Sequence, residues 1–197
     1  MKFKLFGTEI YVSFLFAAII TLMLATDKTG LALPSLFAVF MHEIGHLFAM
    51  WVLDCNPKSV RLIPASVQIS SSVTNRYRKD ISIALIGPLV NLILFGSLYF
   101  NYLCFKNKIT QIYALINLVV GLFNLLPVTG LDGGTILFSL IAKKCELNRA
   151  MLTLRISTAI MALAAFIIAV TLTVRGKINL SLYIVTIYLF MGAIMKM

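Results

Sequence analysis

Residues 31–53 read LALPSLFAVFMHEIGHLFAMWVL, an apolar run with two histidines and a glutamate near its centre. A helix rises about 1.5 Å per residue and the hydrocarbon core of a bilayer is about 30 Å thick, so about 20 such residues cross it. The run therefore predicts a membrane-spanning helix that contains His42, Glu43 and His46. Imidazoles and a carboxylate within an apolar span are costly unless paired or liganded, which marks them as functional. The competing reading is a set of satisfied polar groups that hold helices together.

The spacing specifies the chemistry. Residues i and i+4 stand one above the other on a helix, so His42 and His46 can offer imidazole nitrogens to one metal ion. Glu43 follows the first ligand, as does the general base in zinc hydrolases carrying His-Glu-x-x-His. The sequence has only two histidines, and both belong to this motif. Catalytic zinc usually takes three protein ligands, so one more is required. Of the seven acidic residues, Glu9, Asp27, Asp54, Asp80 and Glu146 fall at span ends or in loops, which leaves Asp132. Asp132 follows Pro127 and Gly130 and precedes Gly133 and Gly134, residues expected to break the fourth helix there. Irregular backbone at membrane depth must be buried in protein or line a wet cavity, so Asp132 is expected to face an internal chamber. The alternative is that Asp132 caps a helix starting near Thr135.

Composition agrees with a membrane protein. Of 197 residues 60% are hydrophobic and 12% charged, and mean hydropathy is +0.98. A soluble domain is about half apolar and a quarter charged. The length suits a single membrane-embedded domain over 1–197, with its core about 31–145. A net charge of +10 invites a nucleic-acid reading, but the basic residues cluster between apolar runs as loop anchors do, and no nucleic-acid module is present. Cys55, Cys104 and Cys145 form neither a disulfide framework nor a zinc knuckle.

The fold class expected is an all-α polytopic membrane protein of about six transmembrane helices. The spans run from about Ile10 to Ala25, Leu31 to Leu53, Ile81 to Cys104, Ile112 to Leu126, Ala150 to Val174 and Leu180 to Met195. The first is expected to be retained, because no small-residue cleavage site precedes Asp27. Lys2, Lys4, Lys58, Arg61, Arg76, Arg78, Lys79, Lys143, Lys144, Arg149, Arg155 and Lys196 fall on one side, twelve in all. Lys28, Lys106, Lys108, Arg175 and Lys177, five in all, fall on the other. That asymmetry places both termini in the cytoplasm. Between the second and third spans, Val60 to Ile69 is rich in β-branched residues and reads equally as short strands bent at Pro64 or as an ordinary loop. Gly87 and Pro88 interrupt the third span and allow close packing or a kink, while Asn91 and Asn124 read first as interhelical hydrogen-bonding groups.

His42-Glu43-Ile44-Gly45-His46, Gly87-Pro88 with Asn91, and Leu126-Pro127 followed by Leu131-Asp132-Gly133-Gly134 together resemble the site-2 protease family of intramembrane metalloproteases. The resemblance implies one zinc ion bound by His42, His46 and Asp132, with Glu43 activating water. It implies that Asn124 positions substrate or stabilises the oxyanion. It also implies a short β element after the second helix that pairs with unwound substrate, here at Ser66, Val67, Gln68 and Ile69. The implied partners are a transmembrane or membrane-associated protein substrate, the lipid bilayer and a regulatory membrane protein. The implied location is a bacterial inner membrane. The compact six-span plan is similar to the subgroup containing the stage IV sporulation protease, whose members often carry a cytoplasmic domain after the sixth span.

A membrane metal transporter or metal sensor is the alternative class. It predicts further polar residues along a translocation path, whereas the sixth span is nearly free of ionisable groups. Two histidines and a carboxylate also suit iron by ligand count, but Glu43 beside His42 favours hydrolysis.

Overall fold

A computed structural model of the protein describes residues 2–5, 8–12, 14–55, 59–63, 66–70, 77–176 and 179–194. The chain forms two compact units, Met1–Phe123 and Asn124–Met197.

The first unit combines four strands with four helices. Strands β1 (Lys2–Leu5), β2 (Thr8–Val12), β3 (Ser59–Ile63) and β4 (Ser66–Ser70) form one sheet in that order. β1 and β2 are antiparallel, β2 and β3 parallel with Ile10 opposite Val60, and β3 and β4 antiparallel with Arg61 opposite Gln68. Helices α1 (Phe14–Thr26), α2 (Ala32–Val52), α3 (Tyr77–Phe105) and α4 (Lys108–Asn124) complete it, the last residue of α4 falling at the boundary between units.

One expectation is corrected here. The first span does not begin at Ile10, because Ile10, Tyr11 and Val12 belong to β2 and helix starts only at Phe14. Thr8 to Val12 is β-branched and aromatic, and its parallel pairing with β3 overrides helical continuation. Val60 to Ile69, open between strand and loop, lies in β3 and β4; Pro64 and Ala65 between them lie outside the described residues, as do Lys58, Arg76, Lys177 and Lys196.

The turns carry local chemistry. The Asp27 carboxylate accepts hydrogen bonds from the Thr29 hydroxyl at 2.7 Å, the Thr29 and Ala32 amides at 2.8 Å and the Gly30 amide at 3.1 Å. The Thr29 hydroxyl contributes most to holding this carboxyl below the usual carboxylate range, and the amide of Ala32 follows. α2 closes with Asp54 in the left-handed region (φ 52°) and the Cys55 amide donating to the Met50 carbonyl at 2.8 Å, a Schellman stop. Lys79, in the first turn of α3, donates to the Leu53 carbonyl, and α2 then packs along α3.

The second unit contains α5 (Asp132–Ala142), α6 (Leu147–Val174) and α7 (Leu180–Ile194). α6 packs against both α5 and α7. Its core is Val128, Ala162 and Leu189.

Both units bury small and polar side chains and expose large apolar ones. Ala38, Ala49, Ala114, Ala162, Asn91, Asn117 and Thr158 are buried, whereas Phe100, Phe105, Ile109, Val119, Ile160 and Leu163 are exposed. A water-soluble protein does the reverse over surfaces of this extent. Small residues at helix contacts and large apolar residues facing outward are the pattern of a protein whose solvent is lipid. Among the described residues, α2, α3 and α6, with 21, 29 and 28 residues, are long and apolar enough to cross a membrane. α1, α4 and α7, also expected as spans, have 13, 17 and 15 residues.

Candidate metal centre

His42 and His46 lie on the face of α2 that packs against α3, and both are buried. Close approach of the two helices makes the site. A Cβ on Gly45 would stand 3.0 Å from Val90 Cγ2 and 3.1 Å from Gly87 Cα, so the crossing depends on glycine in both helices. The imidazole rings meet edge to face, with centroids 4.6 Å apart and planes at 88°.

The hydrogen bonds fix the tautomers. His46 Nδ1 lies 2.9 Å from the Ile83 carbonyl oxygen, which can only accept, so Nδ1 carries the proton. His42 Nδ1 lies 2.8 Å from Asn91 Oδ1, and the Asn91 Nδ2 group donates to the Ala38 carbonyl and to Asn117 Oδ1, each at 2.9 Å. Asn91 therefore presents an acceptor to His42, whose Nδ1 donates as well. In the neutral rings both Nε2 atoms then carry lone pairs, and they face one another at 3.0 Å. Two facing lone pairs repel; a cation or a shared proton between them removes the conflict.

The donors fit zinc. Zn–N bonds of 2.0–2.1 Å at a tetrahedral angle separate two imidazole nitrogens by about 3.3 Å, within a few tenths of an ångström of the separation found. Metal-bound histidines characteristically donate their other ring N–H to a carbonyl or similar acceptor, as both rings do here. Glu43, next to His42 on α2, is half-buried.

Asp132 is the first residue of α5, in the second unit, and is half-buried. The N-cap position of the helix is Leu131, one residue before Asp132. The preceding segment is non-helical, as Pro127 and the glycines predict, and it is held tightly. Val128 to Leu131 forms a turn closed by the Leu131 amide on the Val128 carbonyl at 3.1 Å, with Gly130 at φ 89°. Ser157 donates to the Pro127 carbonyl at 2.6 Å, and Thr158 accepts from the Thr129 amide at 2.9 Å. A side chain at Gly133 would collide with the Leu125 carbonyl, and one at Gly134 with the Val128 carbonyl. The Asp-Gly-Gly sequence is thus what lets α5 begin directly against the turn.

Asn124 ends α4 and is half-buried, while Ser66, Val67, Gln68 and Ile69 lie in β4, the last strand of the sheet. Sequence reasoning missed Asn117, Ile83, Ser157 and Thr158 as supporting groups. A buried asparagine within an apolar helix was the available signal for Asn117, but its partner depends on tertiary contact.

The model of peptidase family M50 matches residues 106–171. Zinc metalloprotease MJ0392 of Methanocaldococcus jannaschii is 26% identical over 206 aligned residues, covering 97% of this chain and 58% of that protein. Stage IV sporulation protein FB of Bacillus subtilis is 27% identical over 136 residues, covering 67% of this chain and 47% of that protein. The chain thus spans about half the length of the curated relatives it matches. Among solved structures, the site-2 protease from Methanocaldococcus jannaschii has the same fold, with a TM-score of 0.71 at 22% identity, covering 98% of this chain and 93% of that one. With an intact His-Glu-x-x-His motif on a buried helix crossing, the chain is thus similar to the M50, or site-2 protease, family over part of its sequence and shares the fold of the solved site-2 protease.

Proposed function

We propose that this chain is an integral-membrane zinc endopeptidase that hydrolyses peptide bonds in or near transmembrane segments of membrane-bound proteins and releases a cytoplasmic fragment. The observation that carries the reading is the pair of buried Nε2 atoms on α2, 3.0 Å apart and both left as acceptors by their Nδ1 partners. In this reading His42, His46 and Asp132 hold one zinc ion. Of the remaining carboxylates, Glu9 belongs to β2, Asp27 to the α1–α2 turn, Asp54 follows α2, Asp80 lies in the first turn of α3 and Glu146 precedes α6. Zinc, when bound, acts as a Lewis acid and makes water nucleophilic near neutral pH.

Glu43 is the general base: it takes the proton of the attacking water and passes it to the leaving amine. A transmembrane substrate keeps its carbonyls in helical hydrogen bonds and must unwind before attack. β4 ends the sheet, so residues Ser66 to Ile69 can add the unwound strand and replace the lost bonds, with Asn124 orienting it or stabilising the oxyanion. α1, α2, α3, α4, α6 and α7 form six spans in a cell membrane with both termini cytoplasmic, on the charge asymmetry of twelve against five. Residues 1–197 work as one catalytic domain with its core about 31–145, and a regulatory membrane protein is a further partner.

The test is cleavage of a single-span reporter by the purified protein, with the fragment mass locating the cut. A cut within or beside the apolar segment, abolished by chelation and restored by zinc, supports the proposal. Zinc binding without cleavage of any of a panel of single-span reporters favours the metal-transporting or metal-sensing alternative.

A further inference from the structure

Asn117, on α4, and Asn91, on α3, are fully buried, and with two backbone carbonyls they form a chain of hydrogen bonds that ends on His42. Asn117 Nδ2 donates to the Tyr113 carbonyl at 2.8 Å, and Asn117 Oδ1 accepts from Asn91 Nδ2 at 2.9 Å. Asn91 Nδ2 also donates to the Ala38 carbonyl at 2.9 Å, and Asn91 Oδ1 accepts from His42 Nδ1 at 2.8 Å. A carbonyl oxygen only accepts, so Tyr113 determines which end of the Asn117 amide faces it. That orientation turns Asn117 Oδ1 toward Asn91. Asn117 Oδ1 and the Ala38 carbonyl then take both hydrogens of the Asn91 amide, which leaves its oxygen for His42. Reversing the Asn91 amide would bring its hydrogens against His42 Nδ1, and His42 would have to carry its proton on Nε2, where it cannot ligate a metal.

Helix packing keeps the two amides together. A Cβ on Gly121, one turn after Asn117, would stand 3.2 Å from Asn91 Cβ and 3.3 Å from the Pro88 carbonyl, so α4 approaches α3 closely beside the amide pair. We propose that Asn117 is a positioning residue for the metal centre: together with the Ala38 carbonyl it holds the Asn91 amide, and through it His42, in the arrangement whose Nε2 carries the lone pair. Its use for catalysis rests on the zinc reading above, but the tautomer effect can be measured without metal.

The sequence has only two histidines, so selective ¹⁵N-histidine labelling of the full chain in detergent reports each ring. His46 is the internal control, because its Nδ1 bonds to the Ile83 carbonyl and lies outside the relay. Wild-type metal-free protein is expected to show both rings protonated at Nδ1, where each faces an acceptor oxygen. Asn117→Leu leaves the Asn91 amide held by the Ala38 carbonyl alone and is expected to raise the share of His42, and not of His46, in the Nε2–H form. Its zinc affinity, measured by chelator competition, should fall about tenfold or more, as for other groups that orient metal ligands. Asn117→Gln, which keeps an acceptor for Asn91 and a donor for the Tyr113 carbonyl, should bring the His42 signal back toward wild type. Equal shifts of both histidines in Asn117→Leu, or an unshifted His42, would overturn the proposal. A shifted His42 in a chain that binds no zinc would uphold the relay and defeat the zinc reading instead.

Discussion

Gly87 of α3 lies against the ring of His46 on α2: a methyl group on its Cα would stand 2.5 Å from His46 Nε2 and 3.0 Å from His42 Cε1. The absent side chain is the space in which the two imidazoles meet. Gly87→Ala must displace the rings or push the helices apart, an overpacking that costs about 1–3 kcal/mol. Zinc affinity is expected to fall at least about tenfold by chelator competition, since the displaced groups are the ligands themselves. Gly45→Ala should be milder, because its new methyl meets Val90 Cγ2 and the Gly87 and Ile86 backbone at 3.0–3.2 Å and asks only for small shifts. Wild-type zinc affinity in Gly87→Ala would contradict the arrangement.

Asp132 is the proposed third ligand. Asp132→Asn keeps the size of the side chain and removes the charge. It should leave helicity and thermal unfolding near wild type while lowering bound zinc, and with it cleavage, by an order of magnitude or more. If the asparagine variant retains zinc at wild-type affinity, the third ligand lies elsewhere.

Much of this was legible in the residues and some was not, for identifiable reasons. α2 occupies 32–52, where the apolar run placed it, because a long run with helical spacing around His42 and His46 leaves few alternatives. The break after α4 was legible because Pro127 and Gly130 cannot continue a helix. The strands at the N-terminus were not legible, because Ile10 to Val12 joins an apolar run and only its parallel pairing with β3 makes it a strand. α5 was foreseen only as a helix near Thr135, because Gly133 and Gly134 are poor helix formers and begin one here through close contact with the preceding turn. Asn91 was legible as an interhelical hydrogen bonder, but its bond to His42 spans 49 residues of sequence and no local pattern encodes it.

The turn before Asp132 depends on two hydroxyls of α6. Thr158 Oγ1 accepts from the Thr129 amide at 2.9 Å and donates to the Leu154 carbonyl at 2.8 Å, so Thr158→Val leaves the Thr129 amide without this acceptor. A cost of about 1–3 kcal/mol is expected, visible as a lower midpoint of thermal unfolding. Ser157→Ala removes only the donor to Pro127 and should cost less. No change in either variant would show that the turn holds without them.

The role of β4 separates binding of substrate from binding of metal. Proline at Val67 or Gln68 removes a backbone donor and disturbs strand pairing, while the proposed zinc ligands are untouched. Cleavage should fall strongly in these variants with zinc content unchanged. Loss of zinc in parallel with cleavage would argue that the strand supports the fold rather than the substrate.

The most direct measurement is zinc content and reporter cleavage in purified wild type and Glu43→Gln. About one zinc per chain in both, with cleavage lowered at least about a hundredfold in the variant, is the result expected of a general base beside an intact metal site. Absence of zinc from both proteins, or equal cleavage by the two, would contradict the account.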